Sequence, residues 1–196
     1  RWCEEDLRSH KKYFYVMQEY PEDIVITIDD DIFYSRRLIE KLWNAAEKKQ
    51  GMVIAHRART IKFSSENMLA PYVEWKLYTA ETSASSMNII ATSGGGTLFP
   101  PGCMHFDLFN KAVFMELCPY ADDLWMKIMQ VMNNTPVFPV GNAKRQLLTL
   151  PEMQKGGLAD YNYFSGNDIQ MKKILARYNM FFGADDTLLA RMRKRA

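Results

Sequence analysis

The sequence holds little cysteine, and what it holds is scattered. Cys3, Cys103 and Cys118 show no CxxC spacing and no set of pairs. That excludes a disulfide scaffold and a cysteine-based zinc site, and points to a reducing compartment. No apolar run approaches the roughly 18 residues that span a membrane, and no signal peptide opens the chain. An excess of either charge is also missing: 25 Lys plus Arg face 23 Asp plus Glu, a net charge of +2. This gives no case for nucleic-acid binding by the surface as a whole. Repeats, low-complexity segments and an internal domain boundary are absent. So is an initiating Met, because the chain opens Arg1-Trp2-Cys3, and a fragment is expected. What remains is an ordinary globular composition over 196 residues, 47% hydrophobic and 24% charged, long enough for one domain with one core. Aromatics at 13% and 13 methionines read as core filling.

Along the chain, helical spacing from about Leu7 to Tyr20 stops at Pro21. Ile24-Val25-Ile26-Thr27-Ile28 is β-branched throughout and predicts a strand buried on both faces. Three aspartates end it. Ser35 is placed to cap a helix to about Lys49, with Leu38, Ile39, Leu42, Trp43 and Ala46 on its apolar face and Gly51 past its end. Met52–Ala55 is the next strand. Strand, carboxylates, helix and strand in that order predict an α/β unit with a parallel sheet, whose ligands sit beyond the carboxyl ends of the strands. Tyr72–Tyr78 fits a short helix or a strand, and Ser83 to Ser86 a polar loop. Ile89–Ala91 and Thr97–Phe99 flank three glycines, and Pro100-Pro101-Gly102 breaks the chain. A helix is predicted over Asp122–Asn133 and a short strand at Val137-Phe138. Asn167 is placed to cap a helix to about Tyr178.

The strongest chemical signal is Asp29-Asp30-Asp31. Adjacent carboxylates repel one another unless a cation or donors offset the charge. All-oxygen ligands suit Mg²⁺ or Mn²⁺ completed by substrate phosphates. Strand alternation puts Asp29 and Asp31 on one side and Asp30 on the other. A calcium loop starting at Asp29 fails, because Tyr34 stands where glycine is needed. A phosphohydrolase with Asp29 as nucleophile and Asp31 as acid stays open. Asp122-Asp123 opens an amphipathic helix, as a cap or as a general base. Gly94-Gly95-Gly96 allows close backbone approach, to a ligand or in a tight turn. Arg57 and Arg59 read as surface charges. Lys144-Arg145 suits either a diphosphate or solvent. The tail bearing Arg191, Arg193, Lys194 and Arg195 is a weak candidate for anionic lipid headgroups.

The ordered set resembles a known group. Asp23 to Tyr34 is similar to the DxD segment of GT-A glycosyltransferases, in particular the family 2-like enzymes of bacterial surface-polysaccharide synthesis. Gly94–Gly102, Ala121-Asp122-Asp123-Leu124-Trp125 and Ser165–Gln170 resemble that group's later motifs, in order. The resemblance covers about Asp6 to Tyr178. It implies an α/β, GT-A-like, mostly parallel sheet flanked by helices with its N-terminal part missing, as a single catalytic domain over residues 1–196. It also implies a nucleotide-diphosphate sugar donor, a glycan or lipid-linked hydroxyl acceptor, Mn²⁺ or Mg²⁺, and inversion. By the same resemblance Asp29 contacts the donor and Asp31 the metal, with Asp30 between them and Asp29 also near the ion. The base lies in Asp122-Asp123, with Asp123 preferred. Arg8 and Lys12 would be remnants of the nucleotide-facing edge, and Gly94–Gly96 a donor or acceptor loop. The expected location is the cytoplasm, at the inner membrane face if the acceptor is lipid-linked. The alternatives are the phosphohydrolase and a domain that binds nucleotide sugar without catalysis.

Overall fold

A computed structural model of the chain describes residues 3, 5–78, 85–141, 148–149 and 161–194. The helices are α1 (Phe14–Glu19), α2 (Leu38–Lys48), α3 (Lys111–Leu117), α4 (Asp122–Met132), α5 (Asn167–Tyr178) and α6 (Leu188–Arg193). The strands are β1 (Val25–Thr27), β2 (Ile32–Phe33), β3 (Val53–Ala55), β4 (Ala58–Thr60), β5 (Phe63–Ser65), β6 (Met68–Leu69), β7 (Lys76–Leu77), β8 (Ile89–Ala91), β9 (Thr97–Phe99), β10 (Val137–Pro139) and β11 (Leu148–Thr149). The chain is mixed α/β.

The central sheet has the order β1-β9-β3-β10. β3 and β10 pair in parallel, whereas β9 runs antiparallel to both of its neighbours. β1, β3 and β10 therefore point one way, with β9 opposed between β1 and β3. This corrects the mostly parallel sheet. The β1-α2-β3 unit exists, but a later strand has inserted into its middle, which the order of elements along the chain cannot reveal. A second sheet, β7-β4-β8, is antiparallel, and β2 pairs with β11, β5 with β6.

Side-chain alternation splits the core across the central sheet. Ile54 and Leu98 meet Leu38 and Leu42 of α2. Val53, Ala55, Phe99 and Val137 face the larger core around α4. On β1 the alternation leaves only Ile26 in the α2 cluster. Within β1 itself Val25 and Thr27 are buried and Ile26 is half-buried, so the expected burial holds over the strand, whereas the flanking Ile24 and Ile28 are 39% and 52% exposed. On α2 the buried positions are Leu38 and Leu42, while Ile39 and Trp43 are exposed. Ser35 does not cap α2. Its hydroxyl accepts the Arg37 N–H at 3.3 Å, and the helix starts after Arg37.

The N-terminal segment is two pieces, a 3₁₀ turn over Arg8–Lys12 and then α1. Tyr72–Glu74 is a 3₁₀ turn leading into β7. Ser86 bridges to Val137, and Ser83 lies outside the described residues. α4 is buried along its length except at Asp123, which is half-buried. Leu124, Trp125, Ile128, Met129 and Met132 are covered as their spacing predicted, and so are Lys127 and Gln130. The basic tail is docked rather than free. Leu188, Leu189 and Met192 of α6 are buried. Arg191 and Lys194 pair with Asp186, and Arg193 with Glu66. Arg195 lies outside the described residues, as do Lys144 and Arg145. No helix among the described residues is long and apolar enough to cross a membrane.

Candidate active site

Two aspartates distant in sequence, Asp29 and Asp122, converge on one lysine. Lys12 Nζ lies 2.6 Å from Asp29 Oδ1 and 3.6 Å from Asp122 Oδ2. Asp29 follows the carboxyl end of β1, where ligands of such sheets gather. Asp122 and Asp123 open α4, where the partial positive charge of the helix end favours carboxylates. Lys12 ends the 3₁₀ turn. That turn is pinned by His10, buried and stacked on Phe114 with ring centroids 4.2 Å apart. His10 Nε2 lies 2.7 Å from the Cys118 carbonyl oxygen and Nδ1 lies 2.8 Å from the Tyr13 hydroxyl. A carbonyl only accepts, so Nε2 carries the proton and Nδ1 receives the tyrosine O–H. Burial lowers the pKa of His10, which keeps it neutral. Nothing in the local sequence marked His10, because Phe114 and Cys118, two of its three partners, lie more than a hundred residues away.

Burial alone would lower the Lys12 ammonium, but the charges of Asp122 and Asp29 outweigh it and hold its pKa above the usual lysine range. Asp123 goes the other way. Burial first, then the neighbouring Asp122 charge, push its carboxyl up to about 7, against the pull of Lys12. Its Oδ1 accepts the Leu124 N–H at 2.9 Å. Neither aspartate is the cap of α4. Ala121 holds that position, with Asp122 and Asp123 as the first two helical residues.

The glycine triplet packs beneath this group. A β-carbon on Gly94 would lie 2.2 Å from Asp29 Oδ2, and one on Gly95 would lie 2.2 Å from Arg57 Cβ. Gly96 has φ +92°, a conformation open to glycine. Tyr34 ties the two segments together. Its hydroxyl accepts the Asp29 N–H at 2.8 Å and donates to the Gly94 carbonyl at 2.5 Å. The triplet is thus both a tight turn and the floor of the site.

The cleft holds about 500 Å³, with Lys12, Asp29, Asp122 and Asp123 along one part of its lining and Arg57, Arg59, Tyr72, Tyr120, Tyr163 and Phe164 along another. The aromatic wall is built by the Ser165–Gln170 segment. Asp168 Oδ1 accepts the Tyr72 N–H at 2.8 Å, and Gln170 Oε1 accepts the Tyr120 N–H at 2.8 Å. Asn162 Nδ2 donates to the Tyr120 carbonyl at 2.6 Å. The backbone there is a π-helical turn, Asn162–Gly166, running straight into α5. Such widened turns recur at functional sites. Asn167 therefore does not cap α5. It sits inside a continuous helix, buried, and lines the cleft.

Of the residues singled out in the sequence, Lys12, Asp29, Asp122, Asp123, Gly94 and Gly95 line this cleft. Gly96 packs under Leu38. Arg8 stands outside it, exposed, with its guanidinium 4.4 Å from the centre of the Tyr120 ring. Asp30 is exposed and Asp31 half-buried in the turn between β1 and β2. Arg57 and Arg59 are not surface charges; both are half-buried in the cleft. Among the described residues no group of three or more His, Cys, Asp or Glu side chains is placed to hold a metal ion. Asp29 and Asp31 alone would make a two-carboxylate site, the kind that Mg²⁺ or Mn²⁺ fills out with substrate phosphates. No protein-family model matches the chain, and no curated protein matches it.

Proposed function

We propose that the chain is a glycosyltransferase that moves a sugar from a nucleotide-diphosphate donor to a hydroxyl acceptor, with inversion. The observation that carries this reading is the convergence of Asp29, Asp122 and Lys12, with Asp123 beside them, in one cleft walled by aromatic rings. The finer architecture, a GT-A-like domain, belongs to the same proposal. The three co-directional strands, with Asp29 beyond the carboxyl end of one of them, support it.

Asp123 takes the proton from the attacking hydroxyl. A base titrating near 7 combines an available ionised form with real proton affinity at neutral pH. Lys12 holds Asp29 and Asp122 together and offsets their repulsion. Asp29 faces the donor across Gly94, whose missing side chain leaves room for the Asp29 carboxylate. Asp31, together with Asp29, would hold Mn²⁺ or Mg²⁺, and Asp30 flanks them. A bound cation would neutralise the leaving diphosphate. Displacement in one step, with the base opposite the leaving group, inverts the anomeric centre. The acceptor is a glycan or a lipid-linked sugar, and the proposed place of work is the cytoplasm or its membrane face. Peripheral membrane contact through the basic tail stays in the proposal, and Arg191, Arg193 and Lys194 also pair with Asp186 and Glu66.

The test is product analysis with Asp123→Asn and Asp31→Asn. Asp123→Asn should keep nucleotide and metal affinity and lose turnover by about a hundred- to ten-thousandfold. Asp31→Asn should lose the Mn²⁺-dependent part of nucleotide binding. Release of UDP or GDP only when acceptor is present supports transfer. Release of inorganic phosphate would mean a phosphohydrolase acting through Asp29. Metal-dependent nucleotide binding with neither product would mean a binding domain.

A further inference from the structure

The arginine side of the cleft is not used by the mechanism above. Arg57 and Arg59 lie close enough that each guanidinium repels the other. Burial, and then the Arg59 charge, lower the Arg57 pKa. Among the described residues neither arginine takes part in a salt bridge. Arg59 is held rigidly. Its Nη1 donates to the Trp75 carbonyl at 2.6 Å, and its guanidinium lies 5.2 Å from the Tyr72 ring centre and 5.5 Å from that of Tyr163. Two half-buried cations that no described carboxylate pairs with are unfavourable unless an anion reaches them, and a ligand can supply it. Beside them Tyr163 and Phe164, 38% and 73% exposed, line the cleft. Exposed rings flanking a polar cleft offer a flat apolar face, suited to the C–H face of a sugar. Asn167, 5% exposed and lining the same cleft, has a side-chain oxygen with no hydrogen-bond partner among the described residues. An orphaned acceptor of this kind selects a donor such as a sugar hydroxyl.

We propose that Arg57, Arg59, Tyr163, Phe164 and Asn167 form a subsite for an acidic sugar, one bearing a carboxylate or a phosphate. The guanidiniums take the anion, the rings take the sugar face, and Asn167 takes a hydroxyl. The inference rests on the transferase reading only for the role of that sugar as substrate. Arg57 and Arg59 come from β4 and the residue before it, while Asp29 follows β1. The two groups meet over Gly94 and Gly95, which pack against Asp29 and Arg57 respectively. The acidic sugar is therefore held next to the carboxylates that carry out the chemistry.

The experiment measures binding to the folded protein, without metal, by NMR line shape and shift changes. The probes are glucuronate, glucose 6-phosphate, glucose and inorganic pyrophosphate. The two acidic sugars should bind at least about tenfold more tightly than glucose, a difference that charged hydrogen bonds readily supply. Arg57→Gln should remove that preference while glucose binding stays the same, and Arg57→Lys should restore part of it. Arg57→Gln is the primary variant because Arg59→Gln also breaks the contact with Trp75. Preference for glucuronate would identify a carboxylate ligand, and preference for glucose 6-phosphate a phosphate ligand. Equal binding of glucose and the acidic sugars by wild type overturns the proposal. So does an unchanged preference in Arg57→Gln. Arginine-dependent binding of pyrophosphate without any acidic-sugar preference overturns it in favour of a diphosphate site. If the acidic-sugar preference holds but no glycosyl transfer is found, the subsite stands and the transferase reading falls.

Discussion

Lys127 is the residue at which a single change should do most for stability. It lies in the middle of α4, fully buried, and its ammonium nitrogen has no hydrogen-bond partner among the described residues. Burial alone pushes its pKa from 10.5 down to about 7. Between pH 7 and 10.5 the unfolded chain therefore binds a proton that the folded chain does not, so folding stability rises with pH across that window. Below pH 7 both states are protonated and the destabilisation is complete. At about 1.4 kcal/mol per tenfold change in proton affinity, it amounts to about 4 kcal/mol at pH 7, relative to pH above 10.5. Methionine has similar length and no charge. Lys127→Met should stabilise the fold by roughly 2–4 kcal/mol at pH 7 and by much less at pH 10. Urea unfolding followed by circular dichroism at both pH values gives the difference between wild type and variant. Taking that difference cancels the other groups that titrate in the range, such as Cys103, which burial raises to about 12. A variant less stable than wild type at pH 7, or a gain that does not shrink by pH 10, would refute the reasoning.

Other outcomes follow from the site. The acid limb of the kcat/KM profile for transfer should lie near pH 7, because burial raises the Asp123 carboxyl and a base works only when ionised. A rate flat from pH 5 to 8 would remove Asp123 from that role. The same shift makes Asp123 a stability term of opposite sense to an ordinary ion-paired carboxylate. Its destabilisation is absent below about pH 4, grows as pH rises, and is complete above 7, so Asp123→Asn should stabilise the resting protein at pH 8 by chemical denaturation. Gly94→Ala should displace the Asp29 carboxylate, since the new methyl would stand 2.2 Å from Asp29 Oδ2. The expected result is loss of nucleotide binding with the circular dichroism spectrum unchanged, and wild-type affinity would argue against Asp29 as a donor ligand. Cys3 is exposed whereas Cys103 and Cys118 are buried, so a thiol reagent should label one cysteine quickly and two only on unfolding. Three fast thiols would contradict the packing around α3 and α4.

Much of the local structure is legible in period and punctuation. The β-branched run before Asp29, the helical spacing of Leu124, Trp125, Ile128, Met129 and Met132, and the Gly94–Gly96 turn are local signals, and each element formed where its pattern placed it. Carboxylates at the end of a strand and at the start of a helix were legible for the same reason, since both are read from neighbours in the chain. Contacts between distant segments were not. β9 entered the sheet between β1 and β3 because strand order is set by which faces bury best, not by succession. That insertion leaves β1 at the edge of the described sheet, with Ile24 and Ile28 open to solvent. Arg57 and Arg59 looked like solvent charges because a lone arginine carries no signal of what folds over it. The π-helical turn at Asn162–Gly166 and the 3₁₀ turn bearing Lys12 enclose them in the cleft and close the triad of Asp29, Lys12 and Asp122. Sequence alone supplied the kinds of chemistry available. Only tertiary packing decided which groups meet, because desolvation and charge pairing depend on separation in space.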